Sequence, residues 1–185
     1  MTSTLRREVR LWNHIRAIAL LPFMNVVVIP ALILAASREF VVSRIAGTEL
    51  TTVLANVSAA LLLLAGIALV ARCIELFIRR GHGTLAPWDP TQRLIIEGPY
   101  RRARNPLKAG LFLVLIGECL LLRSTWLALW TASFIVVNVI YIRFSEEPGL
   151  CARFGQTYGD YCAVVPRWWP RLAAGRRTPA RGDLA

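Results

Sequence analysis

The chain has 185 residues, of which 56% are hydrophobic and only 18% charged, and its mean hydropathy is +0.51. This composition excludes a soluble domain, a disordered chain, a disulfide-rich secreted module and a coiled coil. The 22 basic residues outnumber the 11 acidic ones and give a net charge of +11. Such a balance points to nucleic acid or to an anionic membrane surface, and the uncharged runs favour the membrane. We expect an integral membrane protein that binds no nucleic acid.

Three long runs without a charged residue predict membrane-spanning helices. Residues 17–37 and 50–71 form runs of 21 and 22 residues, and residues 124–142 form a run of 19. About 20 helical residues cross the hydrocarbon core of a bilayer. The first run is too long for the core of a cleaved signal peptide, so we expect it to remain in the protein.

A fourth, shorter run precedes the last of these three. Residues 109–122 are apolar except for Glu118. If Asn105 caps this helix and Pro106 takes its first position, the helix has about 17 residues and a length of roughly 26 Å. It would then form a tight hairpin with the following run, turning at residues 122–125.

The fold class expected is therefore an all-α polytopic membrane protein with about four transmembrane helices, the last two forming the hairpin. We divide the chain into an N-terminal two-helix membrane region (residues 1–78), a region with a cytoplasmic loop, hairpin and interfacial helix (79–171), and a disordered tail (172–185). The tail is rich in alanine, glycine, arginine and proline, a composition that favours disorder.

The distribution of basic residues orients the chain. Of the 22 basic residues, 18 lie in the N-terminal segment, in residues 79–108 or in the tail after the last run. Lysine and arginine accumulate on the cytoplasmic side of membrane proteins. We therefore expect both termini and the long loop to be cytoplasmic, and the protein to lie in the plasma or inner membrane of a prokaryote.

Residues 146–164 have apolar side chains at helical spacing and predict an amphipathic helix on the membrane surface or over the loop. Trp168 and Trp169, flanked by arginines, are typical of an interfacial anchor. The apolar face consists of Leu150, Phe154, Tyr158, Tyr161, Cys162 and Val165.

Few residues suggest chemistry by themselves. The four cysteines form no C-x-x-C pair and the two histidines are far apart, so we expect no metal site. Glu118 lies within an apolar run, where it is either a protonated or arginine-paired structural residue or part of a cavity. Glu146 and Glu147 follow the last run closely, and by charge alone they could be ordinary interfacial ion pairs.

The second half of the chain resembles the isoprenylcysteine carboxyl methyltransferase family and its relatives, the phospholipid methyltransferases. The resemblance covers about residues 81–171 and depends on the order of several short motifs around a hydrophobic hairpin. These motifs are GPYRRARNP at residues 98–106, Gly110, EEPxL at 146–150, FGxxYxxY at 154–161 and VPR at 165–167.

The resemblance implies S-adenosylmethionine as cofactor and assigns roles to individual residues. Asn105 and Lys108 stand where the family has a histidine and a tyrosine. The cofactor-binding residues implied are Gln92, Arg93, Leu94, Ile95, Tyr100, Asn105, Pro106, Leu107, Lys108 and Glu146. The catalytic residues implied are Arg104 and Glu147, and Arg143 is the implied substrate-binding residue.

The implied activity is methyl transfer to a lipid-soluble or prenyl-like small acceptor, through a carboxylate or thiol. Methyl transfer from a sulfonium needs no metal, and alignment of donor and acceptor can contribute about 7 to 11 kcal/mol. Membrane lipids are the expected surroundings of the enzyme. Two alternatives remain open: the acceptor is a phospholipid amine, or the chain is a non-catalytic membrane protein that binds lipid or a partner.

Overall fold

The computed structural model describes residues 19–37, 49–80 and 94–168. The described part of the chain is helical and contains no β-strand. Two of its helices, Leu50–Arg79 and Thr125–Phe154, are long and apolar enough to cross a membrane. The all-α prediction is thereby confirmed. The expected disordered tail, the second tryptophan of the anchor and the first half of the long loop lie outside the described residues.

The first helical segment begins as a π-helix, Ala19–Val28, and continues as α1, Ile29–Ser37. In a π-helix each carbonyl accepts from the N–H five residues later. For Asn25 that residue is Pro30, which has no N–H. The Asn25 carbonyl instead accepts a hydrogen bond from Trp130 Nε1 at 3.3 Å. This bond connects the first helical segment to a helix much later in the chain.

The second helix, α2 (Leu50–Arg80), packs along α3 (Pro106–Leu122) through small residues. A Cβ atom on Gly66 would lie 2.7 Å from the carbonyl oxygen of Gly110, and one on Gly117 would lie 3.1 Å from the carbonyl oxygen of Ala59. Small residues at such positions let two helix backbones approach closely, as in helix pairs of membrane proteins.

The predicted hairpin is confirmed. Asn105 is the N-cap residue of α3 and Pro106 its first residue, and the helix has the 17 residues expected. It ends at Arg123, which adopts the left-handed conformation (φ 49°) and donates to Asn56 Oδ1 of α2 at 3.2 Å. Ser124 then caps α4 (Thr125–Tyr141) by accepting from the Leu127 N–H.

The single amphipathic helix predicted over residues 146–164 is wrong in its boundaries. From α4 the chain continues through a π-helical turn, Ile142–Glu146, into α5, Glu147–Phe154. Gly155 then adopts a positive φ of 54°, a conformation open to glycine and strained for other residues. A separate helix, α6 (Gln156–Val164), follows. The sequence did not predict this break, because the apolar side chains keep the same helical spacing on both sides of Gly155.

Helix α6 lies over the second half of the loop, which is one of its two predicted positions. Tyr158, Tyr161 and Val165 are buried and pack against Leu94 and Ile96 of the loop. In the loop itself, a short 3-10 helix, Gly98–Arg101, leads to the start of α3. The loop, the hairpin and the C-terminal helices therefore meet at one end of the helix bundle.

Candidate functional site

A cavity of about 800 Å³ lies where these elements meet. Its volume falls within the range of roughly 300 to 1,000 Å³ typical of small-molecule sites. The first helical segment contributes Pro22 and Asn25, and α2 contributes Phe77. The other walls come from the loop, the start of α3, the second half of α4, and helices α5 and α6.

The structure brings eight of the predicted site residues to the cavity. They are Leu94, Ile95, Tyr100, Arg104, Asn105, Leu107, Lys108 and Glu146. Pro106 is buried and begins α3, but it does not line the cavity. Gln92 and Arg93 lie outside the described residues.

Arg143 and Glu118 are also outside the cavity wall. Arg143 is exposed, and its guanidinium lies 5.8 Å from the ring centre of Phe144. Glu118 has a buried carboxylate oxygen, Oε2, that has no hydrogen-bond partner among the described residues. Neither side chain forms part of the cavity wall.

Glu147 lies behind the cavity and joins two arginines. Its carboxylate is 3.1 Å from Arg104 Nη1 and 2.5 Å from Arg167 Nη2. The Arg104 and Glu147 side chains are only 14% and 12% exposed, so solvent screens this ion network weakly. The backbone N–H of Arg104 also donates to the Pro166 carbonyl at 2.9 Å. The network therefore fixes the end of the loop against the segment after α6.

Two tyrosines connect the loop and α6 at the cavity. Tyr161 donates its hydroxyl to the backbone carbonyl of Tyr100 at 2.7 Å. Burial raises the pKa of both phenols above their usual value, so each stays neutral and remains a donor. The Tyr100 ring packs edge-on against Phe77 of α2, with ring centres 5.9 Å apart.

Two hydrogen-bond donors at the cavity have no partner within the described part of the chain. They are Nδ2 of Asn105 and Nε of Arg104, and both atoms are buried. Most buried polar groups in proteins are hydrogen-bonded, because an unpaired one costs about 1 to 3 kcal/mol. Asn105 does not use its side chain to cap α3. Both are unsatisfied donors on residues of the cavity wall.

Lys108 and Glu146 provide opposite charges in the cavity wall. The Lys108 ammonium donates to Asn138 Oδ1 of α4 at 2.8 Å and lies 5.9 Å from the ring centre of Tyr141. Glu146 attracts Lys108 electrostatically, but among the described residues the two form no ion pair within 4.0 Å. The cavity thus presents a carboxylate and an ammonium that do not neutralise each other by direct contact.

Sequence reasoning missed several cavity residues. Asn138 could have been noticed as the lone amide within the apolar α4. Tyr158 and Tyr161 were interpreted as parts of an apolar face, which gives no sign of their position at a site. Trp130 and Phe134 are indistinguishable in the sequence from residues that face lipid.

The arrangement suits a small molecule that carries both charge and apolar surface. The described residues contain no group of three metal-ligating side chains.

A sequence model of the phospholipid methyltransferase family matches residues 54–157, which is more than half of the chain and includes most of α2. No curated protein and no solved structure matched. The family match confirms the resemblance noted in the sequence, and the chain belongs to the phospholipid methyltransferase family.

Proposed function

We propose that the protein uses S-adenosylmethionine to methylate a lipid-soluble or prenyl-like acceptor through a carboxylate or thiol. Membership of a methyltransferase family supports the reaction type. The observation that carries the proposal is one cavity whose wall combines charged side chains with aliphatic and aromatic ones. Such a wall suits both a polar cofactor and an apolar acceptor.

The residues present fit the cofactor. Glu146 offers a carboxylate to a cationic donor, and the tyrosine and phenylalanine rings of the wall offer faces that attract cations. Asn105 Nδ2 is an unused donor for a polar group. When bound, the cofactor supplies an activated methyl group on a sulfonium. We assign its binding to Leu94, Ile95, Tyr100, Asn105, Leu107 and Glu146, together with Pro106 and with Gln92 and Arg93, which precede Leu94 in the sequence.

We assign roles to the remaining predicted residues according to their positions in the structure. Arg104 lines the cavity, so we assign it to the reacting groups. Glu147 holds Arg104 in place and acts through it. Lys108 offers a cation to an anionic group of the cofactor or of the acceptor. Arg143 is exposed and lies one helical turn before Glu146. We assign it to the binding of an acceptor that approaches along the protein surface.

An apolar flank would admit the acceptor from the membrane. Val137 and Tyr141 of α4 line the cavity, yet they are 62% and 44% exposed. Neighbouring Val136 and Ile140 are also exposed apolar residues. The methyltransferase family and the two long apolar helices together support a location in the membrane. An opening on this side of α4 would therefore face lipid.

We further propose four spans with both termini in the cytoplasm. In addition to the two long helices, the apolar segment Pro22–Ser37 and α3 would cross as shorter helices. With 17 residues, α3 is about 26 Å long. Both lie beside longer helices that would shield their polar ends from lipid.

A phospholipid amine is the second candidate acceptor, and the family match is the observation that favours it. The experiment that tests the proposal supplies S-adenosylmethionine with a labelled methyl group to the full-length protein in total membrane extract. Label is expected in an ester or thioether of a lipid-soluble molecule. Label in phospholipid headgroups would establish the second candidate, and a protein that neither binds the cofactor nor transfers label would be a non-catalytic binder.

A further inference from the structure

The cavity opens to the outside along one side of the continuous helix formed by α4, the π-helical turn and α5. In the described part of the chain, every exposed residue that lines the cavity belongs to this helix. These residues follow one another at intervals of four, which places them in one stripe on the helix surface. We call this stripe the seam. It consists of Ser133, Val137, Tyr141, Ser145, Gly149 and Arg153.

The π-helical turn helps to keep the seam on one side of the helix. Four residues of an α-helix turn by about 400°, so a stripe at this spacing moves round the helix by about 40° at each step. The segment Ile142–Glu146 is π-helical, and its wider turn makes less rotation in four residues than an α-helix does. It therefore offsets part of the drift, and the seam stays beside the cavity from α4 into α5.

The two halves of the seam differ in chemistry. The first half lies in the uncharged run 124–142, which we place in the membrane, and it includes the apolar side chains of Val137 and Tyr141. The second half follows this run and has no aliphatic or aromatic side chain. We call this half the polar mouth. It consists of Ser145, Gly149 and Arg153.

Gly149 lies in the middle of the polar mouth, and neither packing nor backbone conformation explains why it is a glycine. A Cβ atom at this position would meet no atom within 4 Å, and its φ is not positive. Alanine would favour the helix more than glycine does. No residue of α5 is buried, and α5 is held from another side, where Leu150 and Phe154 pack against the cluster around Tyr158. The missing side chain therefore leaves the mouth open.

We propose that the polar mouth is the route by which S-adenosylmethionine and its demethylated product, S-adenosylhomocysteine, exchange, and that Gly149 keeps this route open. The inference rests on the proposed methyl transfer. The donor carries a sulfonium, an ammonium and a carboxylate, and charged groups pass an apolar opening in a membrane only at a high cost in free energy. The polar mouth avoids this cost. The apolar half of the seam is then left to a lipid-soluble molecule.

The test measures how fast isotope-labelled S-adenosylhomocysteine associates with full-length protein in lipid nanodiscs and dissociates from it. Gly149→Phe and Ser145→Phe narrow the polar mouth at two neighbouring turns, and a double variant combines them. Gly159→Phe is the matched control. Gly159 is also an exposed glycine of a short helix, but it does not line the cavity, and a Cβ atom there meets nothing closer than 3.9 Å. Val137→Phe narrows the apolar half of the seam instead.

Gly149→Phe and the double variant should slow both association and dissociation by similar factors, roughly tenfold or more. A residue of the mouth changes the barrier to exchange and not the bound state, so the Kd should stay within about twofold of wild type. Gly159→Phe and Val137→Phe should keep the wild-type rates. Thermal unfolding of each variant checks that the fold is retained.

Four results would overturn the inference. If the double variant exchanges the ligand at the wild-type rate, the polar mouth is not the route, although the methyltransferase proposal stands. If Val137→Phe slows exchange instead, the ligand passes through the apolar half of the seam. If Gly149→Phe changes the Kd by tenfold or more while the protein stays folded, Gly149 belongs to the binding site and not to its mouth. If wild type binds no S-adenosylhomocysteine, the inference and the proposed function fail together.

Discussion

Single residues at the start of α3 and at the end of α4 determine how charge is arranged in the cavity. Asn105 has a buried donor without a partner among the described residues, and Glu146 and Lys108 place a carboxylate and an ammonium in the cavity wall. None of these three side chains is needed to close a helix or to fill the apolar core. Their effect on ligand binding should therefore be separable from their effect on folding.

Glu146→Gln should weaken the affinity for S-adenosylmethionine by roughly ten- to a hundred-fold. The physical reason is the loss of a charge-assisted contact worth about 1.5 to 3 kcal/mol in a partly desolvated site. Titration calorimetry of purified protein measures this affinity. Asp160→Asn, which removes an exposed carboxylate on α6, is the control and should have no effect. An unchanged affinity in folded Glu146→Gln would leave Glu146 as an interfacial charge only.

Asn105→Ala should lower cofactor affinity by roughly two- to tenfold, the value of a neutral hydrogen bond. Its thermal stability should equal that of wild type, because Nδ2 has no hydrogen-bond partner among the described residues and the side chain does not cap α3. Thermal unfolding followed by fluorescence checks the second expectation. A fall in Tm without a change in affinity would mean that Asn105 has a structural role.

At the level of elements, the cavity depends on two contacts between parts distant in the sequence. The Glu147 network joins the loop to the segment after α6, and the close backbone contacts at Gly66, Gly110 and Gly117 join α2 to α3. The first contact is polar and buried, and the second is a close approach of two backbones. Each can be tested by one substitution with a matched control.

Glu147→Gln should destabilise the protein by up to about 3 to 5 kcal/mol, because it leaves two arginines without their carboxylate at a largely buried position. Glu75→Gln is the control. Glu75 also pairs with two arginines, but on the exposed surface of α2, where the loss should be below about 1 kcal/mol. Thermal unfolding in the same detergent compares the two. Equal losses of stability in the two variants would show that the Glu147 network stabilises the protein no more than a surface ion pair does.

Gly66→Ala should destabilise the protein by about 1 to 3 kcal/mol, since the new Cβ would lie 2.7 Å from the Gly110 carbonyl oxygen and push α2 from α3. The same substitution at Gly159 of α6 meets nothing closer than the Gln156 side chain at 3.9 Å. Gly159→Ala should be neutral or slightly stabilising, because alanine favours a helix. Similar Tm values for the two variants would argue against close packing of α2 on α3.

At the scale of the whole molecule, charge asymmetry predicts the topology. Because 18 of the 22 basic residues lie at the termini or in residues 79–108, these parts should be cytoplasmic. Cysteines introduced at Ala180 and Gly47, in a variant without the four native cysteines, should be labelled from opposite sides of the membrane. Labelling of both from the same side would contradict the four-span arrangement.

The sequence by itself determined the helical class and the hairpin with its turn, and it pointed to eight of the residues that line the cavity. These predictions depend on local features of the chain: the uncharged runs, the position of Asn105 before Pro106, and the order of the short motifs. Local features can be recognised directly in the sequence. Eight of the predicted site residues line one cavity because the motifs flank the hairpin that builds it.

Only the tertiary structure decided which polar groups face each other. Glu146 and Glu147 are adjacent in the sequence, yet one lines the cavity and the other lies behind it with Arg104 and Arg167. Lys108 meets Asn138 thirty residues later, and no periodicity predicts that contact. The break at Gly155 depends on a backbone angle that apolar spacing does not reveal. Side-chain pairing across helices is set by their packing, and the packing is a property of the folded chain.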